Sequence, residues 1–255
     1  MSSIGIIQHI NLVKLIGFCC EGDMRLLVYE YMPKHSLDVL LLKKASSDTV
    51  LDWSLRYQIA VGVARGLAYL HTGCRDCIIH CDIKPENILL DAAFVPKIAD
   101  FGMAKVLGRE FSHAITTMRG TIGYLAPEWI GGEAVTSKVD VYSYGMVLFE
   151  LISGRRNSSQ VYLKDGDFSE FFPLKVARRL HQSGETIGSL VDENLHGEAN
   201  LEEVERVCKV ACWCIQASEL DPPAMASVQF LEGLSELGMP PLPRLLNAVT
   251  GGSPT

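Results

Sequence analysis

Apolar residues recur along the chain in two patterns, short runs that are typical of strands and longer stretches with helical spacing. Residues 9–19 and 25–32 are short β-prone runs on either side of Glu21-Gly22-Asp23, which predicts a hairpin. Asp52 precedes a stretch whose apolar positions recur every three or four residues, which predicts a helix capped by that carboxylate. Those apolar positions are Ile59, Val63, Leu67 and Leu70.

Three more helices are predicted in the second half of the chain. Residues 139–152 are apolar on nearly every face, which is typical of a helix at the centre of a helical lobe. Asp140 lies inside that stretch, and we expect it to accept hydrogen bonds from main-chain N–H groups because a buried carboxylate without donors is costly. Asn200 with Glu203 resembles a capping box at the start of the next helix, and the last helix runs from about 223 to 237.

Charged and polar residues follow short apolar runs in the middle of the chain. Residues 80–87 read His-Cys-Asp-Ile-Lys-Pro-Glu-Asn, and Asp100-Phe101-Gly102 comes after the next apolar run. Asp82 can accept the proton of an attacking hydroxyl, and Lys84 can neutralise charge on a moving phosphoryl group. Asn87 and Asp100 can hold Mg²⁺. Few chemistries other than phosphoryl transfer require this combination.

The order and spacing of these motifs resemble the catalytic and metal-binding loops of protein kinases. Ala126-Pro127-Glu128 stands where that family closes its activation segment. The resemblance implies an α+β fold of the protein-kinase type, mainly the helical C-terminal lobe with a remnant β-hairpin of the N-terminal lobe. It implies a kinase domain over residues 1–237, and the Pro- and Gly-rich residues 238–255 are predicted to form a disordered tail.

The same resemblance implies where ATP would bind. Residues 30–32 correspond to the hinge, so that main-chain groups of Glu30 and Met32 would bond the adenine edge. Tyr29 would lie at the back of the adenine pocket, and Leu89 would be its apolar floor. ATP and Mg²⁺ are therefore the implied cofactors, and a protein with a Ser or Thr acceptor is the implied substrate.

Two local choices are similar to those of Ser/Thr-specific kinases. Lys84 stands two residues after Asp82, and Gly120-Thr121 precedes Tyr124, which adds Thr121 to the implied catalytic set. Several stretches look like plant receptor-like kinases, and His-Cys-Asp-Ile-Lys-Pro-Glu-Asn points to their G-type lectin (S-domain) branch. This implies a parent receptor with its kinase on the cytoplasmic side of the plasma membrane, and receptor-complex partners. The chain alone is expected to be cytosolic.

The chain departs from the kinase pattern in three places. No glycine-rich phosphate loop, strand lysine or partner glutamate precedes the hairpin, so we expect a truncated domain that lacks most of the small lobe. Cys81 replaces the arginine of the H-R-D motif, which implies that phosphates on Thr116 or Thr117 would not be read there. Asp221-Pro222-Pro223 lacks the arginine that usually pairs with Glu128, so we expect a loosely held activation segment unless Glu128 finds Arg119, Lys138 or water.

The truncation leaves two functions open. One is a Ser/Thr protein kinase that transfers the γ-phosphoryl group of ATP. The other is a weak or inactive kinase lobe that acts as a binding module. In either case we expect an exposed apolar cleft face around Val28, Met32 and Leu89.

Composition and charge narrow the remaining classes of function. The 255 residues are 48% hydrophobic, which is ample for a sizeable core. The formal charge of -7 argues against nucleic acid and anionic membrane surfaces, which select for basic patches. Residues 139–152 are fourteen in number, fewer than the about 20 that a membrane-spanning helix needs. We therefore expect no nucleic-acid partner and no membrane span in this chain.

The eight cysteines allow two interpretations. Cys74-x-x-Cys77 with Cys81 nearby has a spacing that zinc sites also use. Cys208 and Cys212 lie four residues apart on a predicted helix, where small apolar side chains pack well. The kinase resemblance implies a reducing compartment and therefore favours free thiols over zinc or disulfides.

Overall fold

The computed structural model describes residues 7–42, 51–108, 120–132, 134–157, 171–182, 187–216 and 224–243. The described strands pair in three antiparallel two-stranded sheets, β1 with β2, β3 with β6 and β4 with β5. Helices make up most of the rest, which confirms the predicted α+β fold with a small hairpin beside a helical lobe. The strands are β1 (Leu15–Glu21), β2 (Met24–Tyr29), β3 (Cys77–Ile79), β4 (Ile88–Leu90), β5 (Pro96–Ile98) and β6 (Lys105–Leu107). The helices are α1 (Leu37–Leu41), α2 (Trp53–Ala68), α3 (Pro127–Ile130), α4 (Lys138–Ser153), α5 (Phe172–His181), α6 (Leu201–Cys214) and α7 (Ala224–Leu231).

The predicted hairpin is present, but its first strand begins later than expected. Strands β1 and β2 pair from Leu15 with Tyr29 to Glu21 with Met24, and Gly22 takes the left-handed conformation that the tight turn needs. The segment before β1 pairs elsewhere, because the N–H of Val13 bonds the Ile98 carbonyl at 2.9 Å. This contact ties the hairpin to β5.

Helix α2 begins where its cap predicts. The Asp52 side chain accepts a hydrogen bond from the Leu55 N–H at 2.8 Å, as expected of an N-cap carboxylate. Ile59, Val63 and Leu67 are completely buried on one side of the helix. A single π-helical turn, Tyr69–Gly73, then leads the chain towards β3.

Helix α4 lies in the centre of the helical lobe, as its uniformly apolar sequence predicts. Nearly all of its residues are buried, and it packs against α2, α5 and α6. Gly145 permits the close approach of α6, because a Cβ atom at this position would lie 2.7 Å from the Cβ of Cys214. The two helices therefore touch almost backbone to backbone.

Helix α6 has the predicted cap, but only half of the predicted capping box. The Asn200 side chain accepts from the N–H groups of Glu202 and Glu203, at 3.0 and 3.3 Å. The Glu203 carboxylate does not return to the Asn200 N–H but accepts from Trp53 Nε1 at 2.8 Å. A contact with α2 has replaced the local one.

The last helix is shorter than predicted. Helix α7 ends at Leu231, because Gly233 adopts a left-handed conformation and the Leu234 N–H bonds the Gln229 carbonyl at 2.9 Å. Beyond it, the carbonyls of Gly238 and Pro241 accept hydrogen bonds from Trp213 and Gln216. The remainder of the predicted tail, from residue 244, lies outside the described residues, and its disorder stays a prediction.

The predicted exposed cleft face is only partly present. Val28 is 49% exposed, but Met32 is only 8% exposed and Leu89 is half-buried. Met32 is covered because the chain turns back after it, so that the Leu90 N–H bonds the His35 carbonyl at 2.9 Å. Exposed apolar side chains lie instead on the hairpin, at Ile16, Phe18, Met24, Leu26 and Leu27. Among the described helices, none is long and apolar enough to cross a bilayer.

A buried ion pair joins α2 to the segment after α5. Arg56 is 2% exposed, and its guanidinium contacts Asp192 Oδ2 at 2.6 Å. It also donates to the carbonyls of Leu51 and Leu151, at 2.9 and 3.0 Å. A second pair on the same helix, Arg65 with Glu232, lies at the surface, with the Arg65 side chain 54% exposed.

We predict that Arg56→Met lowers the free energy of unfolding by about 3–5 kcal/mol, because it leaves a buried carboxylate and two buried carbonyls without their donor. The matched control Arg65→Met should cost less than about 1 kcal/mol, since exposed ion pairs contribute little. Urea unfolding followed by tryptophan fluorescence measures both. Equal losses in the two variants would contradict the assignment.

Candidate active site

One buried carboxylate fixes the backbone of the loop between β3 and β4. Asp140, near the start of α4, accepts hydrogen bonds from the N–H groups of His80 (2.7 Å) and Cys81 (2.8 Å). His71 Nε2 lies 2.9 Å from the same carboxylate. This confirms the expectation that main-chain donors satisfy Asp140. Cys81 takes a left-handed backbone conformation, with φ of 68°, and this turns the following residue away from the core.

The Asp82 carboxylate is the centre of a polar cluster. Asn87 Nδ2 donates to Asp82 Oδ2 at 2.9 Å, and Lys84 Nζ lies 2.9 Å from the same oxygen. The Thr121 hydroxyl donates to Asp82 Oδ1 at 3.1 Å and accepts from Lys84 Nζ at 2.8 Å. The structure thus brings together all four residues that the sequence assigned to catalysis. One carboxylate faces one ammonium, one amide and one hydroxyl, an arrangement that can accept a proton and screen negative charge.

Asp100 stands at the end of β5, next to this cluster. It is exposed and takes a left-handed conformation, and its Oδ1 accepts from the Gly102 N–H at 3.2 Å. The preceding N–H, that of Ala99, donates to the Asn87 carbonyl at 2.8 Å. This backbone hydrogen bond joins Asn87 to the residue before Asp100, the other predicted metal ligand.

His80 is a positioning residue that the sequence analysis did not assign. The Asp82 N–H donates to His80 Nδ1 at 3.3 Å, so the proton lies on Nε2, which donates to the Ala99 carbonyl at 2.9 Å. Burial lowers the pKa of His80, which favours this neutral form. The ring also packs against Phe101, with 5.0 Å between ring centroids. The signal for this role was present, since His80 opens the motif that contains Asp82.

A cavity of about 530 Å³ lies between the hairpin, α1 and β4. Its volume falls in the range of small-molecule sites. All four residues predicted to bind the nucleotide line it, Tyr29, Glu30, Met32 and Leu89, and Asp100 stands at its polar end. The remaining lining residues, which the sequence did not single out, are Val13, Tyr31, His35, Ser36, Val39 and Ala99.

The hinge segment is fixed in place by the side chain of Glu30. Its Oε1 accepts from the Lys14 N–H at 2.8 Å and lies 3.3 Å from Lys97 Nζ. Because Lys97 belongs to β5, this carboxylate links the cavity wall to the strand that carries Asp100. Strand β5 therefore supports both the cavity wall and the segment next to the polar cluster.

The oxygen atoms near the cavity that could bind a metal ion suit a hard cation that keeps part of its water shell. Among the described residues, no group of three or more His, Cys, Asp or Glu side chains is arranged to hold a metal ion. The zinc interpretation of Cys74, Cys77 and Cys81 finds no support there. Asn87 and Asp100 offer amide and carboxylate oxygens, and Mg²⁺ is commonly held by one or two carboxylates together with substrate phosphates.

Some sequence expectations concern residues outside the described ranges. These are the activation-segment acceptors Thr116 and Thr117, and the sequence Asp221-Pro222-Pro223. The activation segment is expected to be loosely held only if Glu128 lacks a partner, and Glu128 has one.

Comparisons with known proteins agree with the geometry. The profile of the protein kinase domain matches residues 1–195. A G-type lectin S-receptor-like serine/threonine-protein kinase of Arabidopsis thaliana is 60% identical over 250 residues, which cover 97% of this chain and 30% of the relative. The kinase SD2-2 of the same group and organism is 53% identical over 256 residues, covering 98% of this chain and 32% of the relative. In Oryza sativa subsp. indica, LECRK3 is 46% identical over 244 residues, covering 95% and 29%.

The chain thus spans about a third of the length of the curated relatives that it matches. The branch predicted from the catalytic-loop sequence is the one that these relatives carry in their names. With the domain profile matching more than half of its residues, the chain belongs to the protein kinase family.

Proposed function

We propose that this chain transfers the γ-phosphoryl group of ATP to serine or threonine hydroxyls of a protein substrate. One observation carries the proposal, the Asp82 carboxylate within hydrogen-bond distance of Lys84, Asn87 and Thr121. Asp82 accepts a hydrogen bond from the aliphatic hydroxyl of Thr121, which is the kind of group that an acceptor serine or threonine presents. The relatives named above are serine/threonine-protein kinases by name.

Each residue of the cluster has a role in this reaction. Asp82 takes the proton of the acceptor hydroxyl as the new P–O bond forms, and the bond from the γ-phosphorus to the bridging oxygen of ADP breaks. The Lys84 ammonium screens the charge of the phosphoryl group during transfer. The Thr121 hydroxyl bonds both Lys84 and Asp82 and so holds the two side chains in position. Catalysis of this kind consists mainly of positioning and electrostatic stabilisation.

ATP occupies the cavity beneath the hinge in this proposal. Leu89 offers apolar surface to the adenine ring, Val13 adds to the apolar lining of the cavity, and the backbone of Glu30 and Met32 faces the polar edge of adenine. Tyr29 closes the back of the pocket. Asn87 and Asp100 hold Mg²⁺, which neutralises phosphate charge when bound.

We propose further that the kinase is of the non-RD type. Burial raises the pKa of the Cys81 thiol to about 12, so this side chain stays neutral at physiological pH. A neutral, buried thiol cannot form an ion pair with a phosphate on the activation segment. Control by that contact is therefore absent from the proposed mechanism.

The names of the relatives suggest the cellular setting. We propose that the chain acts as the kinase part of a receptor-like protein on the cytoplasmic side of the plasma membrane, with partners in a receptor complex. The chain alone would be cytosolic. Its similarity to relatives named as receptor-like kinases over nearly its whole length supports this placement.

We predict that Asp82→Asn lowers the rate of phosphoryl transfer by about 10²- to 10⁴-fold, the usual contribution of a general base. The assay is incorporation of label from γ-labelled ATP into a serine-containing protein with Mg²⁺ present. Asp52→Asn is the matched control, since it also removes one negative charge but keeps a good helix cap. Equal background labelling by wild type and Asp82→Asn would refute catalysis and leave the binding-module function.

Replacing Asp100 tests the metal site without turnover. We predict that Asp100→Asn weakens the binding of a fluorescent ATP analogue by about tenfold in Mg²⁺, because one of the two oxygen ligands loses its charge. In excess EDTA the variant and wild type should bind equally. The measurement is fluorescence anisotropy, and an equal loss of affinity in both buffers would show that Asp100 does not act through the cation.

A further inference from the structure

The guanidinium of Arg156 faces two carboxylates directly and reaches a third through a tyrosine hydroxyl. Its Nη2 lies 2.5 Å from Glu86 Oε1 and 3.8 Å from Asp38 Oδ2. Its Nη1 donates to the Tyr124 hydroxyl at 3.2 Å, and that hydroxyl donates to Glu150 Oε1 at 2.8 Å. Asp38, Glu86 and Glu150, with Arg156 among them, are called the acidic pocket below.

The acidic pocket holds more acceptors than one arginine can satisfy. In the part of the chain that the structure describes, Asp38 Oδ1, Glu86 Oε2 and Glu150 Oε2 are buried and accept no hydrogen bond. Glu150 is completely buried, and burial raises its pKa, with nearby Glu86 adding to the shift. Buried acceptors without donors are rare in proteins and often mark functional sites.

The acidic pocket adjoins the proposed phosphoryl-transfer site. Glu86 belongs to the same loop as Asp82, and the Tyr124 N–H bonds the carbonyl of Thr121, whose hydroxyl donates to Asp82. The pocket also opens to solvent, since the side chains of Asp38, Glu86 and Arg156 remain 23%, 36% and 30% exposed. A peptide that places its hydroxyl at Asp82 therefore lies close to this pocket.

We propose that Arg156 fills a guanidinium-binding subsite of the acceptor groove from within, and so determines that this kinase does not select substrates by an arginine near the acceptor. The inference rests on the proposed function, because it assumes that an acceptor peptide lies along Asp82. The pocket chemistry fits a planar cation with several donors, since two carboxylates and the Tyr124 hydroxyl accept from different N–H directions of the guanidinium. With Arg156 in place, a substrate arginine meets a cation already seated there.

Removing the internal arginine should open the subsite to an arginine of the substrate. The probes are fluorescein-labelled serine peptides that differ only by Arg or Ala at one of the three positions before the serine. Wild type should bind each Arg and Ala pair about equally, whereas Arg156→Ala should prefer the Arg peptide by about tenfold at one position. Anisotropy reports binding alone, so this result does not depend on phosphoryl transfer and separates the inference from the proposed function.

Two variants serve as controls. Arg155→Ala removes the neighbouring arginine, which pairs with Glu193 at the surface at 3.4 Å, and should behave as wild type. The double variant Arg156→Ala/Glu86→Gln should lose the new preference, because it removes the carboxylate that contacts Arg156 most closely. The same Arg to Ala ratio in wild type and Arg156→Ala would overturn the proposal.

A rescue measurement covers the case in which Arg156→Ala is unstable. Millimolar methylguanidinium should raise the melting temperature of Arg156→Ala, or restore its folding, while methylammonium at the same concentration should not. Wild type should respond to neither. Equal responses of the variant to the two cations, or an unfolded variant that methylguanidinium does not restore, would also overturn the proposal.

Discussion

The site depends on one buried carboxylate, that of Asp140. An ionised side chain at the core of an apolar helix is strongly unfavourable unless donors replace the lost water. Here the donors are two consecutive backbone N–H groups of the loop before Asp82, together with a ring nitrogen of His71. Helix α4 can therefore be buried only if that loop takes the one conformation that aims both N–H groups inward. The loop conformation that allows α4 to be buried is therefore also the one that orients Asp82.

A few contacts fix the position of the nucleotide cavity relative to the same core. The segment before the hairpin exchanges hydrogen bonds with Ile98, and Glu30 reaches Lys97 on the same strand. His80 then connects this strand end to the catalytic loop through the Ala99 carbonyl. Strand β5 therefore leads into Asp100, supports the hinge and, through Ala99 directly after it, contacts the loop of Asp82. A short strand with three functions explains how cavity and cluster stay aligned although the hairpin exposes much of its apolar surface.

The sequence predicted those features that depend on local pattern and motif. Asp52 and Asn200 could be identified as helix caps because a cap requires only neighbouring N–H groups, and Asp82 belongs to a motif whose chemistry constrains every position. The late start of β1, the burial of Met32 and the diverted side chain of Glu203 were not predictable in this way. Each is determined by a partner far along the chain, Ile98, Leu90 and Trp53 respectively, and apolar periodicity carries no information about such partners. The left-handed conformation of Cys81 likewise accompanies the tertiary hydrogen bond that its N–H donates to Asp140, and its residue type does not predict it.

Asp140 and the acidic pocket show two different ways of placing carboxylate oxygens out of reach of water. Asp140 is fully satisfied and serves as a rigid anchor. Asp38 and Glu86 share the Arg156 guanidinium, Glu150 reaches it through Tyr124, and each of the three keeps one oxygen without a donor. Satisfied networks fix a conformation, and incompletely satisfied ones persist where binding uses the remaining capacity. Because Glu86 lies in the loop that Asp140 holds, the acidic pocket stands at a fixed position relative to Asp82. Arg156 is therefore held at a fixed position relative to the acceptor hydroxyl, which is the geometric condition for keeping a substrate arginine from one position of the peptide.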